Sequence, residues 1–200
     1  MRKGNINKLE QLLELDGSIL LWIQENLRTN LMTAIMKAVT RLGDKGLFWI
    51  IAAVLFLLFK STRKTGLALS IGLVINALIV NVWLKNMVGR IRPYEVVEGL
   101  KCLIPEPVDA SFPSGHASHA FVAVAVIWIM MSKKYGIIAL IISALMAWSR
   151  LYLGVHYPSD VLAGILIGII AGVLGAVIVK AVEKRMGGNK AVMSKEIDDN

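Results

Sequence analysis

The sequence predicts an all-α fold, a polytopic bundle of transmembrane helices that forms a single domain over residues 1–186. Hydrophobic residues make up 56% of the 200-residue chain. The mean hydropathy of +0.65 is far above what a soluble domain of this size needs. Five apolar runs are separated by polar segments, and the polar tail, residues 187–200, is expected to be disordered.

Five spans are expected in the apolar runs, each extended by its flanks toward the roughly 20 residues that cross a bilayer. The runs are Leu47–Phe59, Leu67–Leu84, Ala117–Met131, Gly136–Trp148 and Val161–Val179. Residues 8–42 repeat apolar positions at helical spacing but also carry charges. They are expected to form one or two amphipathic helices, which either lie at the membrane interface or add a sixth span. The N-terminus lacks the apolar core and cleavage site of a signal peptide.

Basic residues predict the orientation of these spans. Clusters follow the first, third and fifth runs and belong on the cytoplasmic side: Lys60, Arg63, Lys64, Lys133, Lys134, Lys180, Lys184 and Arg185. Loops 85–116 and 149–160 then face the outside, and a cytoplasmic N-terminus requires the sixth crossing by parity. The net charge of +8 is therefore attributed to basic loops and anionic lipid headgroups, and nucleic acid is not an expected partner.

The first polar cluster, residues 85–93, lies at the outer end of the second run. Lys85 and Arg92 are seven residues apart, so both side chains face one way if the helix continues to Pro93, which is expected to end it. The alternative is a pair of cations that only extend their head groups to the interface.

The second cluster, residues 112–120, precedes the third run. Ser114 is the expected N-cap, and the free N–H groups and dipole of the following helix form an anion site. Gly115 lets an anion approach the backbone, and His116 lies beside that anion on the first turn. His119, one turn deeper, is expected to be structural.

The third cluster is SRLYLGVHYPSD, residues 149–160. Arg150 ends the fourth run, whereas Pro158 begins the next helix and places Asp160 in its first turn, just after His156. A carboxylate four residues after a histidine can accept its Nδ1–H and leave Nε2 as a nucleophile. The alternative is a capping aspartate beside an interfacial histidine.

Geometry brings the three clusters to one membrane face, because the third and fourth runs are helices of about 25 Å that cross and return. Three cations, a helix N-terminus and two histidines on that face predict a phosphate pocket. No metal or other cofactor is predicted, since the carboxylates are not clustered. The single cysteine, Cys102, excludes an intramolecular disulfide.

The last run carries Gly164, Gly168 and Gly172 at four-residue spacing. Small residues at this spacing let another helix approach closely. Packing within the bundle is favoured over association between copies of the chain, and homo-oligomer formation is left open.

Together, Lys85-x6-Arg92-Pro93, Pro113-Ser114-Gly115-His116 and Ser149-Arg150-x5-His156-x3-Asp160 resemble the three-part signature of the type-2 phosphatidic acid phosphatase superfamily. The resemblance covers residues 85–160, and the flanking helices fit the six-helix membrane bundle of that family.

The resemblance implies a role for each signature residue. His156 attacks phosphorus to form a phosphohistidine, Asp160 orients it, and His116 protonates the departing oxygen and then activates water. The groups that hold the phosphoryl oxygens are Lys85, Arg92, Arg150, Ser114 and the backbone of Gly115. Electrostatic stabilisation of these oxygens is what phosphoryl transfer chiefly requires.

The resemblance also implies a metal-independent lipid phosphatase in the cell membrane, with its catalytic loops on the extracytoplasmic face and a lipid phosphate as substrate. Members similar in size and layout act on phosphatidylglycerophosphate or undecaprenyl pyrophosphate. Acidic residues of loop 94–112 are expected to influence which headgroup enters: Glu95, Glu98, Glu106 and Asp109. The alternatives are a phosphotransferase on a lipid carrier, a vanadate-binding haloperoxidase-like enzyme and a non-enzymatic lipid-phosphate binder.

Overall fold

The all-α prediction is confirmed in a computed structural model, which describes the backbone of residues 2–198 and the side chains of residues 11–186. Every regular element in that part of the chain is helical: α1 (Arg2–Leu27), α2 (Asn30–Leu42), α3 (Leu47–Leu58), α4 (Arg63–Ala77), α5 (Lys85–Val88), α6 (Pro93–Val96), α7 (Gly115–Met130), α8 (Lys133–Tyr152) and α9 (Pro158–Asp198). The expectation of a disordered tail concerns residues 187–200, which lie outside the described side chains, and it stays a prediction.

Three helical stretches of the described chain are long and apolar enough to cross a membrane: Arg63–Val96, Lys133–Tyr152 and Pro158–Met186. Helix α7 is apolar but has 16 residues, and α3, formed by the first apolar run, has 12. Length and composition therefore support a multi-pass membrane protein. The five or six crossings expected from the sequence remain a prediction.

Helix α7 lies at the centre of the bundle and packs against α9, α4 and α8. Its residues from Ala117 to Ile127 are all buried. The glycines of α9 touch its backbone directly: a Cβ on Gly168 would lie 2.2 Å from the carbonyl oxygen of Ser118. The glycine stripe thus packs within the bundle, and it fixes the start of α9 against the start of α7.

The helix that carries Lys85 differs from the sequence prediction. Helix α4 passes into a π-helical segment, Leu78–Leu84, and α5 ends at Val88 because Gly89 adopts a left-handed conformation with φ of 57°. A continuous helix ended by Pro93 is therefore wrong: Pro93 is instead the first residue of α6. The break turns residues 89–92 toward the start of α9, which Arg90 contacts.

The amphipathic N-terminal region forms two helices, α1 and α2, which pack against α8. Their corner is fixed by Tyr152 at the end of α8, whose buried hydroxyl accepts a hydrogen bond from the backbone N–H of Thr29 at 3.0 Å. Arg28 donates to the carbonyl oxygens of Tyr152 (3.0 Å) and Lys101 (2.8 Å). These contacts attach the N-terminal helices to the two loops that carry the polar clusters.

Candidate active site

The predicted pair of His156 and Asp160 comes together at the start of α9. Asp160 is fully buried, and its Oδ2 accepts hydrogen bonds from Ser111 Oγ (2.5 Å) and the backbone N–H of Tyr157 (3.0 Å). His156 Nδ1 lies 3.6 Å from Oδ2 and 3.5 Å from Ser111 Oγ. The Ser111 hydroxyl therefore contacts both members of the pair, a role that its place in a polar loop did not reveal.

Arg90 is a second residue that the sequence analysis missed. Its guanidinium donates to Asp160 Oδ1 at 2.5 Å and to Asp16 Oδ2 at 2.9 Å, and it stacks 3.9 Å from the ring centroid of Tyr157. Asp16, from α1, also accepts the backbone N–H of Ser159 at 3.0 Å. Asp160 is thus held on both of its oxygens, and α1 takes part in holding it. The only sequence signal was an extra arginine between Lys85 and Arg92.

His156 is 1% exposed and lines a cavity, and its Nε2 lies 3.5 Å from Arg92 Nη1. Burial lowers the pKa of His156 to about 3; Arg150 and Arg92 add to this effect, and Asp160 opposes it. The ring is therefore neutral at pH 7. With its proton on Nδ1, beside Ser111 and Asp160, the Nε2 lone pair faces the cavity.

Three buried cations, Lys85, Arg92 and Arg150, line the same cavity as His156. Arg92 Nη1 donates to the carbonyl oxygen of Val155 at 2.6 Å, which fixes the guanidinium beside the histidine loop. Arg150, in the last turn of α8, donates to the hydroxyl of Thr40 on α2. The predicted cations do converge, although the helix break changes how Lys85 and Arg92 reach the site.

One carboxylate contacts two of these cations. Asp109 Oδ1 accepts from Arg92 Nη2 at 2.7 Å, and Asp109 Oδ2 forms an ion pair with Lys85 Nζ. Burial acts to raise the pKa of Asp109, but the hydrogen bonds and charges of Lys85 and Arg92 lower it to about 2. Asp109 is therefore ionised throughout the neutral range.

His116 lies at the second position of α7 and faces the turn between α2 and α3. Its Nε2 is 3.1 Å from Asp44 Oδ1 and 3.2 Å from the carbonyl oxygen of Thr40. The hydrogen bond from His116 is the main cause that lowers the pKa of Asp44. Asp44 and Thr40 were not predicted; for Asp44 the available signal was its charged turn between two glycines, Gly43 and Gly46.

Helix α7 begins at Gly115, which puts Ser114 at the predicted N-cap position. The Ser114 side chain makes no capping bond, and its backbone N–H donates to the carbonyl oxygen of Asp160 at 3.0 Å. A Cβ on Gly115 would meet only Asn81 Oδ1, at 3.8 Å, so the backbone there is open to an approaching group. The first turns of α7 and α9 therefore lie side by side.

The cavity between these elements has a volume of about 800 Å³. Among the described side chains, two buried polar atoms near it have no hydrogen-bond partner: Nε of Arg150, which lines the cavity, and Oγ of Ser114, which precedes the lining residue Gly115 in sequence. His119 also lines it, but its Nδ1 contacts the carbonyl oxygen of Gly115 at 2.6 Å, as a structural histidine would. Within residues 11–186, no three His, Cys, Asp or Glu side chains gather in the way a metal site requires.

The structure is that of a multi-pass helical membrane protein in which a buried histidine and three cations line one cavity. The chain belongs to the PAP2 superfamily, whose family model matches residues 64–184. It is 38% identical over 118 residues to an undecaprenyl-diphosphatase of Sulfolobus acidocaldarius; this match covers 59% of the chain and 57% of that relative.

Two solved structures share the fold. LpxE of Aquifex aeolicus superposes with a TM-score of 0.70 at 28% identity, covering 82% of this chain and 94% of that one. A PAP2-type phosphatidylglycerolphosphate phosphatase of Bacillus subtilis gives a TM-score of 0.67 at 26% identity, with 86% of both chains covered. The family resemblance drawn from the three motifs is thereby confirmed.

Proposed function

We propose that the chain is an integral membrane lipid phosphatase that removes the terminal phosphate of a phospholipid or an isoprenyl diphosphate through a phosphohistidine. The observation that carries the proposal is geometric: His156 lines one cavity together with the cations Lys85, Arg92 and Arg150, and its Nε2 lies beside Arg92. The unpartnered donors Ser114 Oγ and Arg150 Nε add to this set. Buried donors without partners are rare, and an anion with several acceptor oxygens is the ligand that satisfies them.

The first chemical step forms a bond between His156 Nε2 and phosphorus and breaks the bond from phosphorus to the lipid oxygen. His116, on the first turn of α7, donates a proton to that departing oxygen. The imidazole of His156 becomes positively charged, and Asp160 compensates this charge through the contacts at Nδ1. The lipid leaves as an alcohol or as a lipid phosphate.

The second step hydrolyses the phosphohistidine. His116, now neutral, accepts a proton from water, and the water oxygen bonds to phosphorus as the bond to Nε2 breaks. Inorganic phosphate is released and His156 returns to its neutral form. The three cations and the N–H groups at the start of α7 stabilise the charge on the phosphoryl oxygens in both steps.

The relatives support this substrate class. An undecaprenyl-diphosphatase and a phosphatidylglycerolphosphate phosphatase both act on phosphate groups attached to lipids, as their names state. We propose phosphatidylglycerophosphate and undecaprenyl pyrophosphate as the substrates to compare first. Phosphate release from these two lipids, with phosphatidic acid as a third, ranks them directly.

We further propose six crossings, with the site on the extracytoplasmic side. The basic clusters after α3, α7 and the apolar part of α9 support this orientation. A cysteine introduced at Lys133 should resist a membrane-impermeant thiol reagent in intact cells, whereas the half-buried Cys102 should react. Labelling at position 133 but not at Cys102 would invert the topology.

The catalytic roles are tested with two variants and one control. His156→Ala and His116→Ala should both abolish phosphate release while the protein still inserts into the membrane and elutes at the volume of the folded protein. The matched control is His119→Ala, which removes a histidine from the same helix and should retain most of the turnover. Near wild-type turnover in either catalytic variant would refute the mechanism, and transfer of phosphate to an added alcohol in place of water would identify a phosphotransferase.

A further inference from the structure

The carboxylate of Asp109 occupies hydrogen-bond donors of Lys85 and Arg92 that the proposed reaction needs for the phosphoryl group. Both of its side-chain oxygens are engaged, Oδ1 by Arg92 Nη2 at 2.7 Å and Oδ2 by Lys85 Nζ. Its backbone oxygen accepts a third bond, from Arg92 Nε at 2.8 Å. One guanidinium nitrogen and one ammonium group, each on a different carboxylate oxygen, form the arrangement in which these cations would hold two oxygens of a phosphoryl group.

Lys85 and Arg92 cannot donate the same hydrogen bonds to Asp109 and to a phosphoryl group at the same time. Arg92 already donates through Nη1 to Val155, so its remaining fork points at Asp109. Lys85 is 9% exposed and lies within the cavity wall, where it has little freedom to reach a second anion elsewhere. A phosphoryl group that uses these donors must therefore replace the Asp109 side chain.

The loop around Asp109 allows that replacement. It is fixed on one side by the hydrogen bond from Tyr94 to the carbonyl oxygen of Pro107, and on the other by Ser111, whose N–H donates to Arg90. Between these points Val108 is fully exposed, and the Asp109 side chain is 54% exposed. The carboxylate can rotate into solvent without moving either attachment.

We propose that Asp109 is an internal competitor of the substrate, occupying Lys85 and Arg92 until a phosphoryl group displaces it, and that it thereby sets the affinity of the site for phosphate. This inference rests on the proposed lipid phosphatase function. The same competition returns the carboxylate to the cations after hydrolysis, which favours departure of inorganic phosphate.

The test uses the full-length protein in detergent and inorganic phosphate as the probe. Inhibition of a short-chain lipid phosphatase assay gives the inhibition constant of phosphate, and isothermal titration calorimetry gives its dissociation constant independently of turnover. Asp109→Asn keeps the shape and removes the charge, and Asp109→Ala removes the side chain. Glu25→Gln, an exposed carboxylate at the end of α1 and outside the cavity, is the matched control.

Both Asp109 variants should bind phosphate at least about tenfold more tightly, because the charge-assisted bonds of the carboxylate to Lys85 and Arg92 no longer have to be broken. The KM for the lipid phosphate should fall in the same direction, and Glu25→Gln should match the wild type. Unchanged or weaker phosphate binding in both variants would overturn the inference, since a purely structural Asp109 would support the cations and its loss would weaken them. Absence of turnover in the wild type would instead refute the proposed function, while calorimetry would still decide the role of Asp109.

Discussion

Replacement of Arg90 by Gln tests whether Asp160, the carboxylate that contacts the proposed nucleophile His156, must be fixed by an ion pair. Arg90 joins two buried carboxylates, with donor–acceptor distances of 2.5 Å to Asp160 and 2.9 Å to Asp16, and a further bond of 2.7 Å to Ser159 Oγ. Its side chain is 16% exposed, so solvent screens these bonds little. The substitution leaves both carboxylates buried with no cation between them.

The magnitude follows from the number and burial of these bonds. Removing one partner of a buried ion pair typically costs about 3–5 kcal/mol of folding free energy. For a chain of this size, a loss of about 3 kcal/mol lowers the thermal midpoint by roughly 6–12 °C. The loss of a hydrogen bond to a charged group costs about 1.5–3 kcal/mol. If this whole cost raises the free energy of the transition state, kcat falls about tenfold to a hundredfold.

The assay separates a local role from general damage. Arg90 does not line the main cavity, so KM should stay close to the wild-type value while kcat falls. Arg185→Gln, which removes an exposed arginine from α9, should change neither the thermal midpoint nor kcat. A fall in the midpoint with wild-type kcat in the folded fraction would show that Arg90 supports only the fold, and it would refute the reasoning.

The other predictions concern the cations, pH, metal and packing. Arg92→Lys should lower kcat/KM at least about tenfold, measured by phosphate release, because an ammonium group cannot replace the fork that contacts Asp109 and Val155. Thermal midpoints should fall as pH drops. The pKa values of His156 and Asp109 in the folded protein, about 3 and about 2, lie below their ordinary values of 6.5 and 3.8. The contribution of each group to stability is therefore fully present above its ordinary pKa and is lost as the pH falls to its pKa in the folded protein. Thorough EDTA treatment should leave turnover intact, and a strict metal requirement would contradict the mechanism. Gly168→Ala should destabilise the bundle, as a lower thermal midpoint, because its Cβ would meet the backbone of α7.

Short-range patterns in the sequence predicted much of the site. Ser114 at the N-cap and Asp160 in the first turn of α9 follow from local helix-start preferences, which act over a few residues. The convergence of His116, Arg150 and His156 followed from helix lengths alone, and these residues do line one cavity. Each of these features depends either on the sequence of a single segment or on the length of a helix, and both can be read without knowledge of the tertiary contacts.

The residues that were missed are those whose roles depend on long-range packing. Asp16 reaches Ser159 across more than 140 positions of sequence, Thr40 on α2 reaches Arg150, and Asp44 in the turn after α2 reaches His116. Periodicity cannot show which polar side chain of an amphipathic helix faces a neighbour. The π-helical segment before Lys85 was missed for a related reason, since its sequence is apolar and ordinary for an α-helix.

The bond between the Ser114 N–H and the carbonyl oxygen of Asp160 sets the N-termini of α7 and α9 next to each other. The N-terminus of α9 is occupied by Asp160 and Asp16, whereas that of α7, where Gly115 lines the cavity, leaves its partial positive charge of roughly half an elementary unit to an anion. This contribution comes from peptide groups, so neither a change of pH nor replacement of any cationic side chain removes it. Variants that lose a single lysine or arginine should therefore keep a residual attraction for anions, and the backbone alone defines the minimum affinity from which the side chains improve.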